Sequence, residues 1–276
     1  MNISISGASG FIGRHLLKSL ATAGHSPRAL SRHAPPAESD VVIHLAGEPI
    51  AQRWTAEAKR RIRESRVAGT SNLVEALGRL PHRPEALICA SAIGYYGSRG
   101  DEILTESSAP GSGFLPEVCV AWEREAQAAE AFGMRVVRVR TGIVLDSNGG
   151  ALVRMLPPFR MGVGGRLGTG RQWMSWIHLE DLAALFQFAV ESQVRGPLNA
   201  VAPHPVTNAD FTRELALALR RPAMFPVPEF ALRLLFGEMA GVLLDSQRVA
   251  PAAAEAAGFR FRFPQLAAAL AALLRR

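Results

Sequence analysis

The stretch Asn2-Ile3-Ser4-Ile5-Ser6-Gly7-Ala8-Ser9-Gly10-Phe11-Ile12-Gly13-Arg14 decides how the chain folds. Its first five residues read as a buried strand, and the amphipathic run Phe11–Ala23 reads as a helix that opens inside the glycine turn. Glycines at 7, 10 and 13 answer three demands: a tight turn, close approach of backbone to a phosphate, and tight packing of the helix on its strand. A helix start offers free N–H groups and the positive end of its dipole, which together hold an anion. The turn therefore predicts a dinucleotide whose pyrophosphate lies on Gly7, Ser9, Gly10, Phe11, Ile12 and Gly13. A glycine turn serving packing alone is the competing reading.

Beyond the first helix, a strand over Pro27–Leu30 ends at Ser31-Arg32. Sites that take NAD place an acid there, about 20 residues past the glycines, to bind the ribose hydroxyls. Ala29–Arg32 contains no acid, so the expected cofactor is NADP(H), its 2′-phosphate on Ser31 and Arg32, with Arg14 as a weaker second candidate. An ordinary solvated arginine is the alternative for Arg32. Strands over Asp40–Ala46, Ala86–Ala90 and Met134–Val139 then alternate with helices over Thr55–Leu80 and Leu115–Phe132. That alternation predicts an α/β fold: a Rossmann-type doubly wound parallel sheet with helices on both faces. Leu45, Ala46 and Gly47 end the third strand at the carboxyl edge, where small residues let backbone border the adenosine or ribose, or simply end the strand. The link His33–Ser39 holds two prolines and predicts an abbreviated crossover at a thin sheet edge.

After Arg140 the character changes. Glycine and arginine concentrate in Gly149–Gly170, where Pro157 and Pro158 argue for a loop-rich lid rather than one continuous helix. Helices are expected after His178, after the capping box Thr207–Asp210, within Pro226–Gly237, and after Pro264. The division expected is residues 1–148 with 175–200 as the nucleotide-binding domain, and 149–174 with 201–276 as a smaller, mostly helical C-terminal lobe. Arg166 and Arg171 are candidates for the anion side of a substrate cleft.

Composition bounds the partners. The chain has 276 residues, 48% hydrophobic and 20% charged, enough for one large α/β domain with an appended lobe. No apolar run reaches the roughly 18 residues of a membrane span, and the chain opens on a strand pattern rather than a signal peptide. A cytoplasmic protein without membrane contact is expected. Net charge is +7 and pI about 10.5, yet the arginines scatter and often face acids, as Glu57 faces Arg61, which argues against a nucleic-acid partner. Cys89 and Cys119 are too few for a disulfide framework or a cysteine metal cluster, so reduced thiols and no metal are expected.

Several motifs together resemble a known family. Ser6–Gly13, Leu45-Ala46-Gly47-Glu48-Pro49-Ile50, Ser91-Ala92, Gly94-Tyr95-Tyr96-Gly97, Arg140-Thr141-Gly142-Ile143-Val144-Leu145, Gly170–Trp176 and Trp176-Ile177-His178-Leu179-Glu180-Asp181 are similar to the extended short-chain dehydrogenase/reductases. The likeness is to their atypical, sugar-nucleotide epimerase-like or cell-division-inhibitor-like branch. It implies NADP(H), a small-molecule substrate and a structural role for His178 and Asp181. Active members use a Tyr-x-x-x-Lys pair, but the tyrosines here are Tyr95 and Tyr96, the lysines Lys18 and Lys59, and none is spaced to form it. Registering the third helix on Glu123 puts Leu115 and Cys119 at those positions. The expectation is an NADP(H)-binding oxidoreductase or epimerase-like protein with a non-standard proton donor. Ser91, beside the cofactor, and Tyr95 are the first proton-handling candidates, and Tyr95 and Tyr96 the substrate contacts. Tyr95-x-x-x-Arg99 keeps the spacing with arginine for lysine. Glu117 and Cys119 are candidates to face the cofactor, although a lone helical cysteine reads more simply as a small buried hydrophobe. The rival reading is a catalytically silent NADP(H)-binding sensor; the oligomeric state is left open.

Overall fold

The computed structural model describes residues 1–31 and 38–274. The first half runs β1 (Asn2–Ser6), α1 (Phe11–Thr22), β2 (Ser26–Ala29), β3 (Val41–His44), α2 (Ala56–Gly78), β4 (Ala86–Ala92), a short β5 (Ile103–Leu104), α3 (Phe114–Gln127) and β6 (Arg135–Thr141). It continues through β7 (Ile143–Leu145), α4 (Gly150–Arg160), β8 (Trp173–Met174), β9 (Trp176–His178), α5 (Leu179–Glu191) and β10 (Gly196–Ala200). The remainder is β11 (Val206–Thr207), α6 (Asn208–Leu219), α7 (Glu229–Phe236), α8 (Ala240–Leu244), β12 (Arg248–Val249), α9 (Ala252–Ala256) and α10 (Leu266–Leu274).

Six strands form one parallel sheet in the order β2-β1-β3-β4-β6-β10. The central strands β3 and β4 are largely apolar on both faces because both faces are covered. On β3, Val41 and Ile43 turn to a cluster with Leu16, Leu20, Leu182 and Phe186 of α1 and α5. Val42 turns the other way, to Val74, Leu87 and Trp122 beneath α2 and α3. The chain leaves β1 for β2 on one side and returns to β3 on the other, so a crevice opens at the carboxyl ends of β1 and β3. Ser6 stands opposite His44 at its floor. The predicted crossover His33–Ser39 lies largely outside the described residues.

A third cluster joins Leu152, Leu156 and Phe159 of α4 to Phe211 and Leu215 of α6 and Leu266 and Leu270 of α10. Here the expectation of a loop is corrected, because Gly150–Arg160 is a helix that contains Pro157 and Pro158. The prolines remove donors in its later turns, and burial of its apolar face against α6 and α10 offsets that loss. Thr207 caps α6 as predicted, accepting from Asp210 N at 3.1 Å. His178 caps α5, accepting from Glu180 N at 3.1 Å, and its ring stacks on Phe263 at 4.0 Å. Asp181 accepts from the N–H groups of Arg262 and Phe263 at 2.8 and 2.9 Å, fastening the carboxyl-terminal segment to α5.

Candidate functional site

β1 delivers the chain into a turn that side chains would obstruct. Gly7 has φ +70°, and a Cβ on it would stand 2.9 Å from the backbone of Leu45 and Ala46. A Cβ on Gly13 would stand 2.4 Å from the Gly7 carbonyl oxygen. The Gly10 N–H donates to the Gly7 carbonyl at 2.9 Å, and the first helical bond runs from Arg14 N to Gly10 O at 3.0 Å. The N–H groups of Phe11, Ile12 and Gly13 therefore precede the helical ladder. Gly10 contributes no side-chain cap and the first turn holds no acid, so the positive end of α1 is kept for an external anion. Ser9 is exposed beside it, and Arg14 Nη1 donates to the Ser9 carbonyl at 2.5 Å. The ring of Phe11 lies under the start of α4, 2.3 Å from where a Cβ on Gly149 would be, so Phe11 offers the crevice its N–H.

The facing wall follows β3. Ser6 Oγ and His44 Nδ1 lie 2.5 Å apart, His44 Nε2 and Thr70 Oγ1 3.1 Å, and Leu45 N donates to Ser6 Oγ at 3.2 Å. Burial pushes the His44 imidazole down to about 4, so at neutral pH it is an uncharged link between the ends of β1 and β3. Leu45 and Ala46 are half-buried and Gly47 is exposed, all beside the glycine turn. The Arg66 guanidinium lies 3.3 Å from where a Gly47 Cβ would be, and Arg66 Nη1 donates to Glu48 O at 2.9 Å. At the end of β2, Ser31 is exposed; Arg32 lies outside the described residues.

At the end of β4 the polar side chains form a buried network. Arg140 of β6 holds Glu123 of α3 through Nε–Oε1 at 2.7 Å and Nη2–Oε2 at 2.8 Å. Ser91 Oγ donates to the same Oε1 at 2.7 Å. Arg140 Nη1 donates to the Tyr96 hydroxyl at 2.9 Å, which donates on to Asn199 Oδ1 at 2.7 Å. Burial opposes the charge on Arg140, but the Glu123 carboxylate and Tyr96 outweigh it and hold the guanidinium ionised. Burial pushes the Tyr96 phenol up to about 12.

This network corrects two sequence expectations. Tyr96 is 0% exposed, so it is a structural phenol and not a substrate contact. Ser91 is 4% exposed with its proton directed at Glu123, so its hydroxyl does not face a substrate. Tyr95 is half-buried, and the guanidinium at its ring face is Arg140, 3.5 Å from the centroid. Arg99, which has the four-residue spacing, is instead held by Glu102 through Nε and Nη2 at 2.9 and 2.8 Å. Sequence reasoning passed over Arg140 as a site residue. Its signal is an arginine alternating with the valines of Arg135–Thr141, opposite a glutamate on the apolar stripe Cys119, Trp122, Ala126 of α3.

A cavity of about 390 Å³ opens over the start of α3, bordered by Trp54, Gly94, Phe114, Leu115 and Asp245. A Cβ on Gly94 would lie 3.5 Å from Leu115 and 4.0 Å from Cys119 Sγ, so these two residues share the face of α3 turned toward the end of β4. Glu117, two residues from each and so on another face, is exposed. Burial pushes the Cys119 thiol up to about 12, which leaves an inert small hydrophobe in place of a reactive thiol. Lys59 is ion-paired with Glu238 of the small lobe at the cavity's rim. Arg166 and Arg171 are exposed on the small lobe and neither borders this cavity. Among the described residues, no group of three or more His, Cys, Asp or Glu side chains is placed to hold a metal ion, and no helix is long and apolar enough to cross a membrane.

Comparison with known proteins places this geometry among relatives. The sequence matches the NAD dependent epimerase/dehydratase family over residues 34–201 and a domain of unknown function (DUF1731) over residues 227–273. It is 38% identical over 302 residues to the "Epimerase family protein SDR39U1 homolog, chloroplastic" of Arabidopsis thaliana, covering 99% of this chain and 87% of that one. It is 38% identical over 298 residues to the "Epimerase family protein YfhF" of Bacillus subtilis, covering 99% and 98%. A crystal structure of human epimerase family protein SDR39U1 (isoform 2) with NADPH superposes at TM-score 0.93 with 33% identity over 99% of both chains.

Proposed function

The chain belongs to the NAD dependent epimerase/dehydratase family, and on that premise we propose that it binds NADP(H) in the crevice between β1 and β3 and acts as an oxidoreductase on a small molecule seated over Leu115. The observation that carries the reading is the uncapped, acid-free start of α1 behind Gly7 and Gly13, facing the accessible Leu45–Gly47 edge. NADP(H) is favoured over NAD(H) by the absence of an acid in Ala29–Arg32 and by the NADPH in the human relative's crystal structure. Arg32 and Ser31 are the 2′-phosphate ligands in this reading. Residues 1–148 with 175–200 make the cofactor half, and 149–174 with 201–276 the lobe over it.

Bound there, the nicotinamide supplies a hydride donor or acceptor. The chain's residues do the rest. The N–H groups of Phe11, Ile12 and Gly13 bind the pyrophosphate. Leu115, which the register on Glu123 puts at the tyrosine position, keeps that side of the cavity apolar and sheds water. Tyr95, half-buried and next in sequence to the cavity-lining Gly94, is the phenol this reading assigns to proton exchange, and the Arg140 guanidinium, itself fixed by Glu123 and Ser91, lies against its ring. A second reading, a catalytically silent NADP(H)-binding protein, is favoured by the commitment of Ser91 and Tyr96 to buried hydrogen bonds.

Oxidation of NADPH by a panel of carbonyl compounds, on wild type and Tyr95→Phe, separates them. The oxidoreductase reading expects turnover that falls by about a hundredfold or more in the variant, the usual cost of a lost acid/base group. NADPH that binds and is never consumed across the panel establishes the silent reading.

A further inference from the structure

We infer that the small lobe carries a second ligand site, apart from the cofactor crevice: a groove for a soluble amphiphile with an anionic head group and an apolar body. The groove, about 740 Å³, lies along α6 and the segment that follows it, and shares no bordering residue with the cavity over Leu115. Single small ligands fill clefts of that size.

Its charge is concentrated. Some exposed arginines elsewhere are neutralised by acids, as Arg60 is by Glu57 and Glu64, Arg233 by Glu229 and Arg262 by Glu180. Four arginines border the groove: Arg166, Arg213, Arg220 and Arg221. Arg213 is paired with Asp210 at 2.8 Å. Among the described residues, Arg166, Arg220 and Arg221 pair with no acid, so their charge is left for something that enters. Forked guanidinium groups suit a phosphate or carboxylate.

Its apolar half is equally open. Leu217 and Met224, 65% and 74% exposed, border the same groove, and a hydrocarbon or ring laid on them would remove apolar surface from water. Arg220 adds an independent observation. At the end of α6 it has φ +52° and ψ +45°, and it is the one non-glycine residue with positive φ among those described. Glycine fills such a position without strain. Arg220 borders the groove, and a non-glycine residue held there at a conformational cost is strain of the kind that accompanies ligand clamps.

The test is calorimetric titration of the full chain with dodecyl phosphate below its micelle concentration, with inorganic phosphate and dodecanol in parallel. Saturable one-to-one binding of dodecyl phosphate is expected, with both comparison compounds at least about tenfold weaker, since each leaves half the groove unused. Arg220→Gly relieves the left-handed residue and so keeps the fold; it should weaken binding by about tenfold, the worth of one charge-assisted contact. Leu217→Gln, on an exposed position, should weaken it about threefold or more, and neither variant should alter NADPH binding. Binding that is non-saturable, or indifferent to both substitutions, overturns the site. Sedimentation with phosphatidate vesicles in place of binding to the soluble amphiphile overturns the soluble ligand and assigns the surface to membrane phosphate.

Discussion

Arg140 and Glu123 show what single side chains contribute beneath the site. Both are nearly inaccessible, at 2% and 4% exposure, and joined by two short hydrogen bonds. Such a pair adds little over an apolar pair of the same shape, but breaking it strands a buried charge. Glu123→Gln should therefore destabilise the protein by about 3–5 kcal/mol in urea unfolding, and the freed Ser91 and Tyr95 would lose their fixed positions. A loss below about 1 kcal/mol would mean that water reaches the Arg140 guanidinium. Gly13→Ala tests the crevice itself, because its Cβ would press within 2.4 Å of the Gly7 carbonyl. The substitution should cost about tenfold or more in NADPH affinity, since backbone must shift where backbone binds. Much at this level was readable in advance: three glycines spaced by three, directly after a strand, announce the turn. The partner of Tyr95 was not, because spacing along the chain singled out Arg99, whereas a neighbouring strand of the sheet brings in Arg140. Long-range pairing of this kind has no local signature.

Whole elements were legible where a strand leads straight into a glycine turn, as in β1, whose bounds Asn2–Ser6 match the stretch read from the sequence. Thr207 announced α6 through its capping geometry, and Thr207→Ala should cost about 1 kcal/mol of stability in thermal or urea unfolding. α4 was hidden, because two prolines outweigh its apolar spacing in any local reading, and the tertiary contacts of Leu152, Leu156 and Phe159 that settle the matter are distant in sequence. The joint between β1 and β3 has a pH dependence that can be worked out from His44. The folded imidazole titrates near 4 and the unfolded one near 6.5, so between those values the unfolded chain binds the extra proton. Stability from this source is fully present above about 6.5 and is lost as pH falls toward 4, by up to roughly 3 kcal/mol. Urea midpoints measured from pH 7 to pH 4 should fall less steeply for His44→Gln than for wild type. Parallel slopes would show that His44 is protonated in the native state.

Across the molecule, the sheet supplies the crevice, and the carboxyl-terminal helical region is joined to it at identifiable points. Asp181 fastens Arg262 and Phe263 to α5, Asn199 Nδ2 reaches the Ala250 carbonyl at 2.9 Å, and Ser175 Oγ bridges to Gln247 O at 2.7 Å. These joints run through backbone groups of the last third of the chain, where the sequence predicts helices but not what they grip. The same holds for function: the crevice is written in the glycine turn, while the substrate is not, since no tyrosine and lysine of the chain have the spacing of the family's catalytic pair. The central claim is cofactor binding, and its most direct measurement is calorimetric titration of the purified, cofactor-free chain with NADPH and with NADH. The account predicts saturable one-to-one NADPH binding, NADH weaker by about tenfold or more for want of a 2′-phosphate, and loss of that preference in Arg32→Ala. Folded protein that binds neither nucleotide would contradict it.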